Sequence, residues 1–321
     1  MNEEYNFKDI LLQPKYSVLN SRSECSTDVT INGHSFKLPI IPANMKTVID
    51  EELAIWLAEN DYFYVMHRFG IDTEKFVDRM LERHLFVSIS VGVNEDSYDI
   101  LKSLHEKNKK IDFITIDIAH GACIKMDKMV EFIKEYFPET FLIAGNVCTL
   151  ETTRFICELG VHAVKVGIGP GSACTTKLKT GFSRPQFSAI KECSRVCDEY
   201  DIMCIADGGI EHNGDIAKAI AAGADMVMIG SLLAGYDESP GKSIIQIENG
   251  HEMHYKEYFG SASEHNKSEK KNVEGRRLLI PLKGSIKDKY IEITQDLQSS
   301  ISYAGGKDLS SLQNVNWIVI H

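Results

Sequence analysis

From residue 38 to residue 235 the chain alternates short apolar runs with longer stretches whose apolar positions recur every three or four residues. The runs are Ile40-Ile41, Phe63 to Met66, Phe86 to Val91, Phe113 to Ile116, Phe141 to Ala144, Ala163 to Val166, Ile202 to Ala206 and Met226 to Ile229. Polar residues barely alternate within them, the pattern of parallel strands covered on both faces. Between runs, Met126, Met129, Val130, Ile133 and Phe137 line one face of a predicted helix, with Lys128, Glu131 and Glu135 largely off it. Leu53, Trp56 and Leu57 do the same after Asp50, a candidate N-cap. Seven helices between eight strands, without long breaks, predict an α/β fold that closes into a (β/α)8 (TIM) barrel rather than an open doubly wound sheet. A single catalytic domain over residues 1–321, with N-terminal and C-terminal extensions, accounts for the whole length.

Two segments break the rhythm. One runs from Gly167 to about Pro185, between the sixth strand and its helix; the other begins at Gly235, and its part at about 235–285 reads as an active-site loop. Within it, Ser263 to Asn272 is polar throughout and reads as mobile. Loops at the carboxyl ends of barrel strands are where barrel chemistry sits.

Composition narrows the function. Hydrophobic residues at 43% and charged residues at 25% allow a large core and exclude global disorder. The net charge of −11 argues against a nucleic-acid or anionic-membrane surface. It leaves a phosphorylated small substrate open, because backbone N–H groups bind phosphate without lysine. No apolar run approaches a membrane span, the acidic start (Met1 to Tyr5) lacks signal-peptide features, and eight scattered cysteines read as reduced thiols. These point to the cytoplasm. Cys193, Cys197 and Cys204 lack the further ligands a zinc site needs and read as core; His251 and His254 read as surface.

The segment Gly167-Ile168-Gly169-Pro170-Gly171-Ser172-Ala173-Cys174-Thr175-Thr176 is the richest in chemistry. Its glycines allow a tight turn that exposes backbone groups, with N–H groups able to face a phosphate or carbonyls a monovalent cation. Cys174 follows among small and hydroxylated neighbours, where a thiol reaches substrate. Composition alone divides this reading evenly from a turn carrying an incidental cysteine.

The same segment resembles the catalytic loop of the IMP dehydrogenase/GMP reductase family. The resemblance begins at Asn6-Phe7-Lys8-Asp9-Ile10-Leu11-Leu12 and continues through Pro42-Ala43-Asn44-Met45, Asp117-Ile118-Ala119-His120-Gly121, Ala144-Gly145-Asn146-Val147, Ala206-Asp207-Gly208-Gly209 and Gly223-Ala224-Asp225. It implies that Cys174 attacks C2 of a purine nucleotide to give a covalent thioimidate. It also implies a potassium ion on the carbonyls of Gly169, Gly171 and Cys174. Asp207 would take the ribose hydroxyls, and Ser172, Gly208, Gly209, Gly230 and Ser231 would cradle the phosphate, with Tyr258, Gly260 and Ser261 completing the nucleotide site. Without the resemblance, the glycine pairs read as tight turns and Asp207 as a helix cap.

Glu274, seven residues before Pro281, matches the family's catalytic glutamate, so that Thr176 and Glu274 would relay a proton. By itself, a glutamate beside two arginines is a solvated ion pair. For the nicotinamide cofactor the resemblance implies Asp117, Ala119, His120 and Gly121, with Ser21, Arg22, Tyr303, Gly305 and Gly306 at the adenosine end. The C-terminal segment, Tyr303 to Gly306, usually reaches the site from a neighbouring subunit of a homotetramer. No Gly-x-Gly-x-x-Gly opens a βαβ unit, so no Rossmann site is expected.

The family's dehydrogenase branch hydrolyses the adduct with a flap bearing an Arg-Tyr pair, and usually carries two small regulatory (CBS) domains inserted in the barrel. From Gly260 to Glu274 there is neither arginine nor tyrosine, and no insertion separates the strands. The expectation is the reductase branch, which converts GMP to IMP and ammonia with NADPH. The alternatives are a dehydrogenase without inserted domains and a nucleotide-binding barrel without turnover. Lys177, where the family commonly has arginine, and the turn Phe182 to Gln186, usually glycine-containing, depart from the pattern.

Overall fold

The computed structural model describes residues 3–260 and 274–320. Seven parallel strands form one sheet: Ile40–Pro42, Ser88–Val91, Phe113–Asp117, Phe141–Val147, Ala163–Val166, Met203–Asp207 and Met226–Ile229. From Phe113–Asp117 onward each strand pairs with its predecessor, and the last returns to pair with the first through Val227 with Ile40 and Ile229 with Pro42. The second predicted strand, 63–66, joins by a single parallel bridge from Met66 to Ile89, with the Tyr64 hydroxyl donating to Phe86 O at 2.9 Å. The eight predicted strands therefore all occupy barrel positions, the second as a fragment.

Why the strands are apolar throughout follows from what each face touches. Ile41, Phe63, Val65, Phe113, Ile143, Ala163, Ile205, Met226 and Met228 fill the lumen, whereas Ile40, Ile114, Ile116, Val164 and Val227 pack outward against helices. Each buried large side chain stabilises the fold by about 1.5–3 kcal/mol. Asp50 caps the helix Glu51–Glu59 by accepting from Leu53 N, and Met126, Met129, Val130 and Ile133 are buried along Ile124–Tyr136. Cys193, Cys197 and Cys204 lie in the core.

The amino-terminal end of the barrel is plugged by a hairpin, Val29–Ile31 with His34–Phe36, turning at Asn32-Gly33 where both residues have positive φ. Its Phe36 ring lies 5.1 Å from Phe63, which lies 4.9 Å from Phe113. With that end sealed by aromatics, polar lumen residues collect at the carboxyl end.

The C-terminal region differs from a loop. Ser243–Glu248, His251–Phe259 and Arg277–Pro281 form a three-stranded antiparallel sheet, again turning at an Asn-Gly pair, Asn249-Gly250. His251 and His254 are exposed on it. Ser261 and the polar stretch Ser263 to Asn272 lie outside the described residues. The helix Ile286–Tyr303 follows, and Trp317–Val319 pairs with Ile10–Leu12. Among the described residues no helix is long and apolar enough to cross a membrane.

Asp225, before the eighth strand, accepts from Cys204 N at 2.7 Å, and burial raises its pKa to about 6. A carboxyl that holds its proton longer when folded loses stability as pH rises between its unfolded pKa, about 4, and its folded one. Asp225→Asn keeps the acceptor and removes the charge. Thermal melts should show it more stable than the parent by about 2 kcal/mol at pH 7.5, a gap that narrows toward pH 4.5. A pH-independent difference would contradict this.

Candidate active site

The cysteine loop leaves the sixth strand at Gly167, which passes so near the seventh that a methyl group there would overlap the Asp207 carbonyl oxygen. Gln186, opening the helix Gln186–Glu199, donates from Nε2 to Val166 O at 2.8 Å and Asp207 O at 3.2 Å. The loop's base is thus tied to both strands. Gly167→Ala should destabilise the fold by about 1–3 kcal/mol and weaken nucleotide binding, measurable by denaturant titration and calorimetry. Unchanged stability would show that the two strands separate freely.

The departing turn anchors this loop as well. Ser183 donates to Ile168 O at 2.8 Å, and Arg184 pairs with Glu4 at 2.9 Å and Glu192 at 2.7 Å. Between turn and cysteine, Thr176–Thr180 forms a short helix with Lys177 exposed.

Glu274 reaches Cys174 through backbone pairing. Thr175 N donates to Glu274 O at 2.8 Å and Arg276 N to Ala173 O at 2.9 Å, so residues 274–276 run antiparallel to the loop. The side chains align in sequence: the Cys174 thiol donates to Thr176 Oγ1 at 3.2 Å, and that hydroxyl donates to Glu274 Oε2 at 2.6 Å. A proton leaving the thiol has a continuous path to a carboxylate. The expected pairing of Thr176 with Glu274 is present as a hydrogen bond, and it extends to the Cys174 thiol.

The floor of the site was not read from the sequence. Lys165, midway along the sixth strand with its side chain 2% exposed, bonds Asp117 at 2.8 Å and Asp207 at 2.6 Å. Burial alone would push the lysine's pKa down, but the two carboxylates outweigh it and hold it above the ordinary value. Burial opposes the Asp117 charge too, yet Lys165 and Asn44 keep its pKa below the ordinary carboxyl value. Asn44 donates to Asp117 at 2.9 Å and Asn146 to Asp207 at 2.8 Å. Asn44 and Asn146 lie within the family-like motifs with no role assigned to them, and Lys165 is inconspicuous inside an apolar run.

Segments after the sixth, seventh and eighth strands converge beside this floor. A Cβ on Gly208 would meet Pro170 at 3.0 Å and Gly171 N at 3.3 Å; one on Gly230 would meet the Tyr258 hydroxyl at 2.5 Å. Burial raises the Tyr258 pKa to about 12, against the opposing pull of the Ser172 hydroxyl and the Ser231 amide. Ser172, Gly208, Gly209, Gly230, Ser231 and Tyr258 therefore share one cradle.

On the other side, Gly121 N donates to Asn146 O at 2.7 Å, fixing the segment after Asp117, while Ala119 and His120 are exposed. Arg68 approaches Asp117 O at 3.5 Å, and burial, with Lys46, lowers the His67 pKa to about 4. Neither residue was singled out by sequence. Arg22 and Tyr303 meet each other, Nη2 to hydroxyl at 3.0 Å, with Gly305 packed against Tyr16. Among the described residues no bond links that patch to the Asp117 side. Nor do those residues contain a cluster of three or more histidine, cysteine or carboxylate side chains able to hold a metal.

A parallel barrel whose carboxyl-end loop carries a thiol on a glycine-built turn defines the class, and the IMP dehydrogenase / GMP reductase domain matches residues 4–320: the chain belongs to that family. It is 51% identical over 323 residues to the GMP reductase of Bacillus subtilis, covering 100% of this chain and 97% of that one. The GMP reductases of Clostridium acetobutylicum (50% over 323 residues, 100% and 97% covered) and Lactobacillus delbrueckii subsp. bulgaricus (50% over 321 residues, 99% and 95% covered) are similarly near.

Proposed function

We propose that this chain is an NADPH-dependent GMP reductase, converting GMP to IMP with release of ammonia. The observation that carries the reading is the aligned thiol, hydroxyl and carboxylate of Cys174, Thr176 and Glu274. Full-length likeness to GMP reductases supports it.

The nucleotide would lie with its phosphate in the cradle of Ser172, Gly208, Gly209, Gly230 and Ser231, closed by Tyr258 and Gly260, and its ribose on Asp207. Cys174 adds to C2 of GMP, and its proton passes through Thr176 to Glu274. The same relay delivers that proton to the departing amine, so ammonia leaves and the thioimidate remains with atoms balanced. Bound beside Asp117, Ala119, His120 and Gly121, NADPH supplies the hydride that C2 receives. The tetrahedral centre then expels the Cys174 thiolate and releases IMP, and the thiolate regains a proton from solvent.

The polar floor under Asp117 fits a carboxamide. Ser21, Arg22, Tyr303, Gly305 and Gly306 would hold the adenosine end of a cofactor bound by the neighbouring subunit of a homotetramer, which agrees with their separation from Asp117 in one chain. The carbonyls of Gly169, Gly171 and Cys174 are neutral oxygen donors suited to a monovalent cation such as potassium, with that of Gly171 already accepting from Cys174 N at 3.0 Å. The eight unpaired thiols suit the reducing cytoplasm.

The test is to mix the protein with GMP and NADPH, measuring cofactor oxidation and ammonia together, and to offer IMP with NAD+ in parallel. Equal amounts of oxidised cofactor and ammonia are expected in the first mixture. Oxidation without ammonia, or turnover only in the second, overturns the reading.

A further inference from the structure

Lys165 holds both carboxylates of the site with one ammonium group. Its Nζ reaches Asp117 Oδ1 at 2.8 Å, Asp207 Oδ2 at 2.6 Å and Met228 Sδ at 3.8 Å, so each of its three protons has an acceptor. The acceptors' outer faces are less enclosed: the Asp117 and Asp207 side chains are 15% and 20% exposed at the carboxyl end of the lumen.

We propose that Lys165 is a positioning residue that couples the two substrate sites, setting nucleotide ribose and nicotinamide against each other through one buried cation. This rests on the assignment above of Asp207 to ribose and Asp117 to cofactor. Ribose hydroxyls donating to Asp207 draw its charge outward and loosen its bond to Lys165. The ammonium then bonds Asp117 more tightly, and Asp117 becomes a poorer acceptor for the cofactor. With Lys165 buried beneath the two carboxylates this shift is less screened than at a surface, and linkage makes it reciprocal. The arrangement would keep the ternary complex from binding too tightly to release product.

The experiment measures NADP+ affinity by calorimetry with no nucleotide, with saturating GMP and with saturating 2′,3′-dideoxy-GMP, which lacks the hydroxyls Asp207 would take. Relative to the dideoxy nucleotide, GMP should weaken NADP+ binding about fivefold. Lys165→Met should erase that difference and Lys165→Arg should keep it. The comparison in unmodified protein stands even if the methionine variant misfolds. Equal effects of the two nucleotides in unmodified protein overturn the proposal. So does a methionine variant that weakens both ligands yet keeps the difference, since that is a merely structural role. Asp207→Asn with unchanged GMP affinity, or Asp117→Asn with unchanged NADP+ affinity, would instead remove the site assignment and the proposal with it.

Discussion

Cys174→Ala should abolish conversion of GMP, lowering kcat by about 10⁴–10⁶-fold, while GMP still binds. In the proposed mechanism the thiol makes the covalent bond on which both half-reactions depend, so its removal should block ammonia release and hydride acceptance together. Serine should do no better, because a hydroxyl is far less readily ionised than a thiol and leaves C2 less easily. Stability should change little, because Cys174 is only half-buried and its backbone bonds to the loop remain. Steady-state rates, with calorimetry for GMP, check this. A variant retaining even a hundredth of the parent rate would show that water or another group does the work.

Glu274→Gln has the next largest expected effect, a loss of about 10²–10⁴-fold in kcat. Glutamine can still accept from Thr176, so the loop should keep its shape, but it cannot store the thiol's proton or pass it to the amine. The loss should therefore fall on ammonia release. Cofactor oxidation by an adduct already formed from IMP and NADP+ should stay within about tenfold of the parent, because that step needs no proton at the amine. Single-turnover measurement separates the two. Ammonia release at an undiminished rate from the glutamine variant would remove Glu274 from the relay.

How far the sequence revealed this molecule depended on the range of the interaction. Strands such as 113–116 and 163–166 were legible because they are buried on both faces and so apolar at every position. The Asp50 cap was legible because it acts three residues away, on Leu53 N. The fragmentary second strand was not, since an apolar run does not reveal how many ladder bonds it makes. Both antiparallel hairpins were missed although Asn32-Gly33 and Asn249-Gly250 carry turn chemistry; their strands are short or exposed, as at Ile245 and Ile247, and show no clean alternation.

Within the site, Cys174 and its glycines are contiguous, so the segment stands out in the sequence, while the resemblance was needed to choose a reactive thiol over an incidental one. Glu274 could be placed only by resemblance, because two backbone bonds across about a hundred residues of chain bring it to Thr176. Lys165 was hidden by its surroundings. One cation in Ala-Val-Lys-Val reads as an interruption of a strand until folding sets a carboxylate on each side of it.

Intact-mass and peptide spectrometry of enzyme quenched during turnover tests the thiol chemistry most directly. The account predicts a mass increase of GMP less ammonia, located on Cys174 and lost in Cys174→Ala. Ammonia released steadily while residue 174 carries no nucleotide would contradict it.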